Sequence, residues 1–388
     1  LESIEHTFFY IRFKKNPQYY KLGSRSNSPD AVLQNLSEEV IEKLIKCQVV
    51  VASKNSDLEC TEYGVALSKH YVSLTTLQVF VECAHSCSLS AILRLLTKAD
   101  EFSRLKVKHN EKTFYRELNQ SQGIRFQHKE KGKNNPVIHE TEQKVSLLIQ
   151  QELGGVDLSA CRDYGKLLHV LNQDKFFLFK HCPRILKCMV DCFVKKKDGI
   201  SLKNTLLLMR SINGKCWDDS PMVLRQIQNI GVVSVRKLAK HGVNSIKHMK
   251  VLTATQIEYY LGLNVAGGIK LKNSVALIPD LKINVSEPVV TKLGPALMGT
   301  FKIKIKADFP YDSSARQKNY ADILCVRNDG LLVDFRRILV SKIQNSKVFT
   351  LQTEFDDLEH DFCFSIGCEE IAGINESCVV DTRKYVPA

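Results

Sequence analysis

The spacing of apolar residues changes character along the chain. Behind Ser37, a predicted N-cap, Val40, Ile41, Leu44 and Ile45 recur at helical spacing. Residues 48–52 read as a strand, 54–57 as a turn and 58–60 as a return strand. Thr61 caps a following helix whose stripe is Tyr63, Ala66, Leu67 and Tyr71. From 88 to 215 the period is helical. Ser88 or Ser90 caps a helix with Ile92, Leu93, Leu96 and Ala99 on one face, and 111–119 is another. A third covers 142–153, with Val145, Leu148, Ile149 and Leu153 inward and Gly154-Gly155 as its stop. The basic stretch 120–136 between them reads as a surface loop. Helices follow over 175–194 and 200–212, divided by a predicted stop at Asp198-Gly199. Short helices fill 220–280, opened by Ser220-Pro221 and closed by Pro279.

Beyond 280 the period falls to two, in Leu281, Ile283 and Val285 and again in Phe301, Ile303 and Ile305. Residues 321–326 and 331–335 flank the hairpin signal Arg327-Asn328-Asp329-Gly330, and 348–351 and 362–366 add strands. About seven short strands in roughly 100 residues fit a β-sandwich. The predicted fold class is multidomain α+β: a winged-helix region over 1–87, an all-α bundle over 88–220, a helix–hairpin–helix over 221–280 and an all-β sandwich over 281–388.

The 388 residues are 44% hydrophobic and 25% charged, which excludes wholesale disorder. The net charge of +13 favours a polyanionic partner, nucleic acid or a membrane surface. No run of about 18 apolar residues occurs, so no membrane span is expected. The first residues do not read as a signal peptide, and a start at Leu1 suggests a piece of a longer protein. Thirteen scattered cysteines read as reduced thiols of cytosol or nucleus. Cys83-x-His85-x-Cys87 lacks a fourth ligand nearby and reads as structural. There is no G-x-x-x-x-G-K-[ST] loop and no acidic pair for Mg²⁺, so no catalytic centre and no cofactor of its own are expected in this chain.

Basic residues concentrate in two segments. Lys203, Arg210 and Trp217 are spaced by seven, which on a continuous helix returns within about 20° of one face. Such a stripe could stack on bases and meet phosphate; the alternative is a solvated basic helix with a core tryptophan. Residues 225–250 carry Arg236, Lys237 and Lys240 among six cations and no acid. Ile230-Gly231-Val232 has the form of a helix–hairpin–helix turn, whose free N–H groups can cradle a phosphate. Between 354 and 376 lie eight acids and no Lys or Arg, so that strip, with Glu354, Asp356 and Asp357, is expected to face a protein or solvent.

Several pieces resemble a known family. Leu148-Ile149-Gln150-Gln151-Glu152-Leu153-Gly154-Gly155 is similar to a signature helix of the Sec-type domain of superkiller-like superfamily-two helicases. Residues 201–221, ending Trp217-Asp218-Asp219-Ser220-Pro221, resemble that domain's ratchet helix, and 227–232 its helix–hairpin–helix entry. Residues 58–64 resemble the family's winged helix, 8–20 the stretch after its second motor, and 108–118 the meiotic, crossover-promoting branch. The resemblance implies a C-terminal half whose ATP- and Mg-using motors lie outside this chain, working on single-stranded or branched DNA in the nucleus. By match of position, Arg210 and Trp217 would touch bases. The β-domain would be Ig-like and would meet a mismatch-repair-type MutL heterodimer. An RNA-remodelling relative, or a scaffold or translocation protein sharing the helical domain, fits the same motifs.

Overall fold

A computed structural model describes residues 2–20, 29–53, 57–130, 136–158, 165–293, 296–308, 319–355 and 359–385. The chain opens with α1 (Glu2–Glu5), α2 (Phe8–Lys15) and α3 (Pro29–Lys46). Phe13, Val32 and Leu33 form a small core of their own there. The helix predicted to start at Ser37 starts at Pro29, because the apolar stripe extends back through Leu33 and Val32. Ser37 is therefore not a cap; its hydroxyl donates to the Leu33 carbonyl at 2.8 Å, the bond a mid-helix serine makes.

An antiparallel hairpin, β1 (Val50–Ala52) and β2 (Leu58–Cys60), leads to α4 (Glu62–His70) and α5 (Leu74–Glu82). Thr61 caps α4 as expected, accepting the Gly64 N–H at 3.1 Å. Then come α6 (Leu89–Thr97), α7 (Lys112–Gln120), α8 (Thr141–Leu153), α9 (Gly165–Lys195) and α10 (Gly199–Gly214). Helix α8 is buried almost all round. Its Lys144 is tied to Glu111 and Asp174, both at 2.9 Å. Asp198, predicted to stop a helix, starts one: it caps α10 by accepting the Ser201 N–H at 3.0 Å. One core runs from Cys47 to Trp217, so the hairpin region and the bundle pack as a unit.

Four short helices follow: α11 (Val232–Lys240), α12 (Ile246–Val251), α13 (Ala254–Leu261) and α14 (Val265–Ala276). The strands are β3 (Asp280–Val285), β4 (Val289–Leu293), β5 (Ala296–Asp308), β6 (Tyr320–Arg327), β7 (Leu332–Leu339), β8 (Lys347–Phe355), β9 (Asp361–Cys368) and β10 (Asn375–Asp381). One antiparallel sheet has the order β10-β9-β6-β7. In the other, β5 is central, with β3 and β4 along one side and β8 along the other. Strands β4 and β10 are absent from the predicted set; both lie at sheet edges.

Phe301, Ile303, Phe362 and Phe364 fill the space between the sheets, and that core continues into Val235, Leu238, Ile246 and Met249 of the short helices. Strand β6 is buried on both faces. Its Ile323 and Cys325 belong to the sandwich core, while Leu324 and Val326 join the core of the bundle. This doubly covered strand fixes the sandwich against α10.

Candidate nucleic-acid interface

The predicted stripe Lys203–Arg210–Trp217 does not form. Helix α10 ends at Gly214, and Lys215 turns the chain in the left-handed region at φ 52°. Trp217 lies beyond that turn, 3% exposed. Phe126 packs edge-on against its ring at 5.8 Å, and the Arg125 guanidinium covers it at 4.5 Å. Its indole Nε1 is buried without a hydrogen-bond partner among the described residues.

Arg210 is buried as well and bonds Asp218 through Nε and Nη2, at 3.2 and 3.3 Å. The same carboxylate accepts the Gly373 N–H and the Asn375 amide, both at 2.8 Å, so it joins α10 to the sandwich. Both residues expected to touch bases are therefore engaged inside the fold. Lys203 is exposed, but it lines a cavity of about 310 Å³ between α10 and the sandwich, with Asn204, Leu324, Arg327 and Cys363.

The basic turn is accessible. Gly231 caps α11, and Val232 opens it. Gly231 has φ −96° and open space where a Cβ would be, so the turn does not depend on glycine there; the left-handed residue is Asn229, at φ 67°. The element before it is a 3₁₀ helix, Pro221–Gln226, so the first half of the motif is only a short turn. Arg236, Lys237 and Lys240 are exposed along α11, and Lys237 donates to the Leu261 carbonyl at 3.3 Å. A second turn of the same form, Leu261-Gly262-Leu263, joins α13 to α14, with Gly262 at φ 69° and Asn264 as the cap.

An exposed aromatic of the bundle sits elsewhere. On α9, the longest described helix, Phe176 is 75% exposed, with Lys180 one turn away on the surface. A cleft of about 610 Å³ is bordered by Phe176, Phe179, Lys180 and Lys215. A second, of about 460 Å³, shares Glu152, Asn172 and Lys175 with the first and reaches Arg225 and Val232 at the head of α11. Glu152 is the floor between them, bonded to Lys175 at 2.9 Å and Arg225 at 3.3 Å. Burial alone would raise its carboxyl, but those two cations prevail and hold it below the usual carboxylate range. The groove thus carries Lys180 and Lys215 exposed, Glu152 already paired, and a second acid, Asp157, exposed on the wall of the second cleft.

The acidic run does not form one surface. Glu369 is buried and holds Lys187 at 2.7 Å and Arg337. Glu370 accepts the Tyr320 N–H, Glu376 pairs with Lys247 and Asp361 with Arg383. Glu354 is exposed near the end of β8, while Asp356 and Asp357 lie outside the described residues. Among the described residues no group of three His, Cys, Asp or Glu side chains is placed to hold a metal, and no helix is long and apolar enough to cross a membrane.

Residues 60–381 match the Sec63 Brl domain. The chain belongs to the Sec63 Brl domain family. It is 40% identical over 383 residues to "ATP-dependent DNA helicase MER3" of Saccharomyces cerevisiae, which covers 98% of this chain and 32% of that protein. It is 28% identical over 346 residues to "ATP-dependent DNA helicase homolog MER3" of Arabidopsis thaliana, covering 86% of this chain and 29% of that one. For "Probable ATP-dependent DNA helicase HFM1" of Homo sapiens the identity is 26% over 293 residues, covering 74% and 19%. The chain spans about a third or less of these curated relatives. The resemblance to the Sec-type part of the meiotic, superkiller-like helicases therefore holds over most of its length.

Within this Sec63 Brl chain, sequence reading missed Phe176. A signal was present. Phe176, Phe177 and Phe179 follow one another on a helix and, at about 100° per residue, cannot all face one core. Phe177 stacks under Arg104 at 3.5 Å, while Phe176 is left outside.

Proposed function

We propose that this chain is the accessory, nucleic-acid-gripping part of a meiotic ATP-dependent DNA helicase. In this reading the ATP- and Mg-dependent motors lie outside the chain, and the parent protein works in the nucleus on single-stranded or branched DNA. The observation that carries the reading is the exposed Phe176 on α9, beside Lys180 and Lys215, in a groove that leads to the head of α11. An exposed ring flanked by cations suits base stacking without sequence readout. The open N–H groups around Gly231 and Val232, with Arg236, Lys237 and Lys240, suit a phosphate at the end of that path. The yeast, plant and human relatives above are each named as DNA helicases, which favours DNA over RNA.

The test is titration of the whole chain with matched single-stranded DNA and RNA, as wild type and as Phe176→Ala. Loss of a stacked base should weaken single-strand binding by about 1–3 kcal/mol. Unfolding should change by no more than about 0.5 kcal/mol, since the ring is mostly in solvent. Equal affinities for the two proteins would remove α9 from the path, and tighter RNA than DNA binding would favour the RNA-remodelling branch.

The β-domain belongs to the same proposal as the surface for a MutL-type heterodimer, with Glu354 as one exposed acid of the 354–376 strip. Glu354→Lys should weaken that partnership and leave single-strand binding intact; a defect in single-strand binding alone would overturn the assignment.

A further inference from the structure

Strand β5 buries Phe301, Ile303 and Ile305 at 0–1% exposure. The alternate residues Lys302, Lys304 and Lys306 therefore stand in one exposed row on the outer face of the sheet, roughly 6.7 Å apart. Antiparallel register sets Lys282 of β3 directly opposite Lys306, and Asn284 opposite Lys304. Lys282 and Lys306 share Asp308, at 3.4 and 2.5 Å. The ammonium groups of Lys302 and Lys304 have no hydrogen-bond or ion-pair partner among the described residues. On β8 their neighbours are Thr350 and Val348, and the first acid on that strand's outer face is Glu354, opposite Met298.

Charged residues commonly guard the edge of a sheet against wrong pairing. That does not explain this row, because β5 is the central strand and has neighbours on both sides. Like charges facing each other across strands also cost stability. Beside the Lys282 end of the row, Lys250 of α12 is half-buried and donates to the Ile278 carbonyl at 2.7 Å.

We propose that this face is a docking surface for the phosphate backbone of duplex DNA, separate from the α9 groove. Lysines on flexible stems supply point charges for phosphates and no bidentate readout of bases. The face presents no exposed aromatic on which the bases of a single strand could stack, which selects the duplex. It also lacks the aromatic or arginine anchors of a tight protein interface. The proposal rests on the reading of the chain as a nucleic-acid-binding part of a helicase.

The test is titration of the whole chain with a blunt duplex and with a single strand of the same length over a salt series. The proteins are wild type, Lys302→Gln/Lys304→Gln, Lys302→Arg/Lys304→Arg and Phe176→Ala. The Gln pair should lower the slope of log K against log salt for the duplex by about two, one for each phosphate no longer neutralised. Single-strand binding should be unchanged, and the Arg pair should restore the duplex slope. Equal duplex affinity and slope in wild type and the Gln pair would overturn the proposal. So would polyglutamate competing as well as duplex of equal charge, which would make the face an acidic-protein site. If Phe176→Ala loses single strands while the Gln pair binds duplex normally, only this inference falls. If wild type binds neither polymer, the functional reading falls with it.

Discussion

The Arg210 guanidinium and the Asp218 carboxylate bind each other through two hydrogen bonds, at 3.2 and 3.3 Å, where α10 meets the sandwich. Asp218 also holds Gly373 and Asn375, so the pair fastens two layers of the fold. Arg210→Ala would leave a buried carboxylate short of its cation, a defect that ordinarily costs about 3–5 kcal/mol. The expected outcome is a large loss in the free energy of urea unfolding with the DNA affinity of the folded fraction unchanged. Arg210→Lys keeps the charge but cannot reproduce both bonds, so it should be intermediate. A variant as stable as wild type but weak on DNA would restore Arg210 to the interface.

Trp217 is the single tryptophan of the chain and lies in the interior, with its backbone N–H on the Leu153 carbonyl at 3.2 Å. Its intrinsic fluorescence should be that of a shielded indole and should barely respond to DNA. Trp217→Ala should cost about 3–5 kcal/mol through the cavity left under Arg125 and Phe126. Trp217→Phe should recover part of that loss. Fluorescence strongly quenched on adding a single strand would contradict the packing.

Periodicity identifies most of these elements because each buries one face, and burial imposes a spacing. The row Phe301, Ile303, Ile305 predicts β5 for that reason, and Leu148, Ile149 and Leu153 predict α8. Spacing alone cannot place Trp217. The seven-residue interval counts as one face only if the helix continues, and Lys215 ends it. Arg210 escapes sequence reading for a related reason: its partner comes round through that same turn, so the pair is not visible as a helical interval. The acids near the C-terminus look like one surface in sequence because the cations that hold three of them lie elsewhere along the chain: Lys187 and Arg337 on Glu369, Lys247 on Glu376 and Arg383 on Asp361. The lysine row is legible as alternation, but that Lys302 and Lys304 have no acid opposite them depends on the register with β3 and β8.

Asp322 of β6 is 3% exposed, and neither carboxylate oxygen has a hydrogen-bond partner among the described residues. Burial is the main cause that pushes its carboxyl up to about 7, from an ordinary 3.8. The groups facing it pull both ways. Glu369 and Glu370 raise it further, while Arg210 and Arg337 lower it. Below about pH 4 the residue is protonated both folded and unfolded and does not affect the balance. Between about pH 4 and 7 the unfolded chain releases the proton while the folded chain retains it, so stability falls as pH rises. Above about 7 both forms are ionised and the penalty is constant, on the order of 4 kcal/mol. Glu370, also raised by burial, adds a slope of the same sign, so some dependence should survive removal of Asp322. Asp322→Asn should flatten most of the decline and make the protein more resistant to urea at about pH 8 than wild type. Unfolding midpoints measured at about pH 5 and about pH 8 for both proteins decide this. Equal declines in the two would mean that the carboxyl finds a partner once it ionises, most directly Arg337 or Arg210.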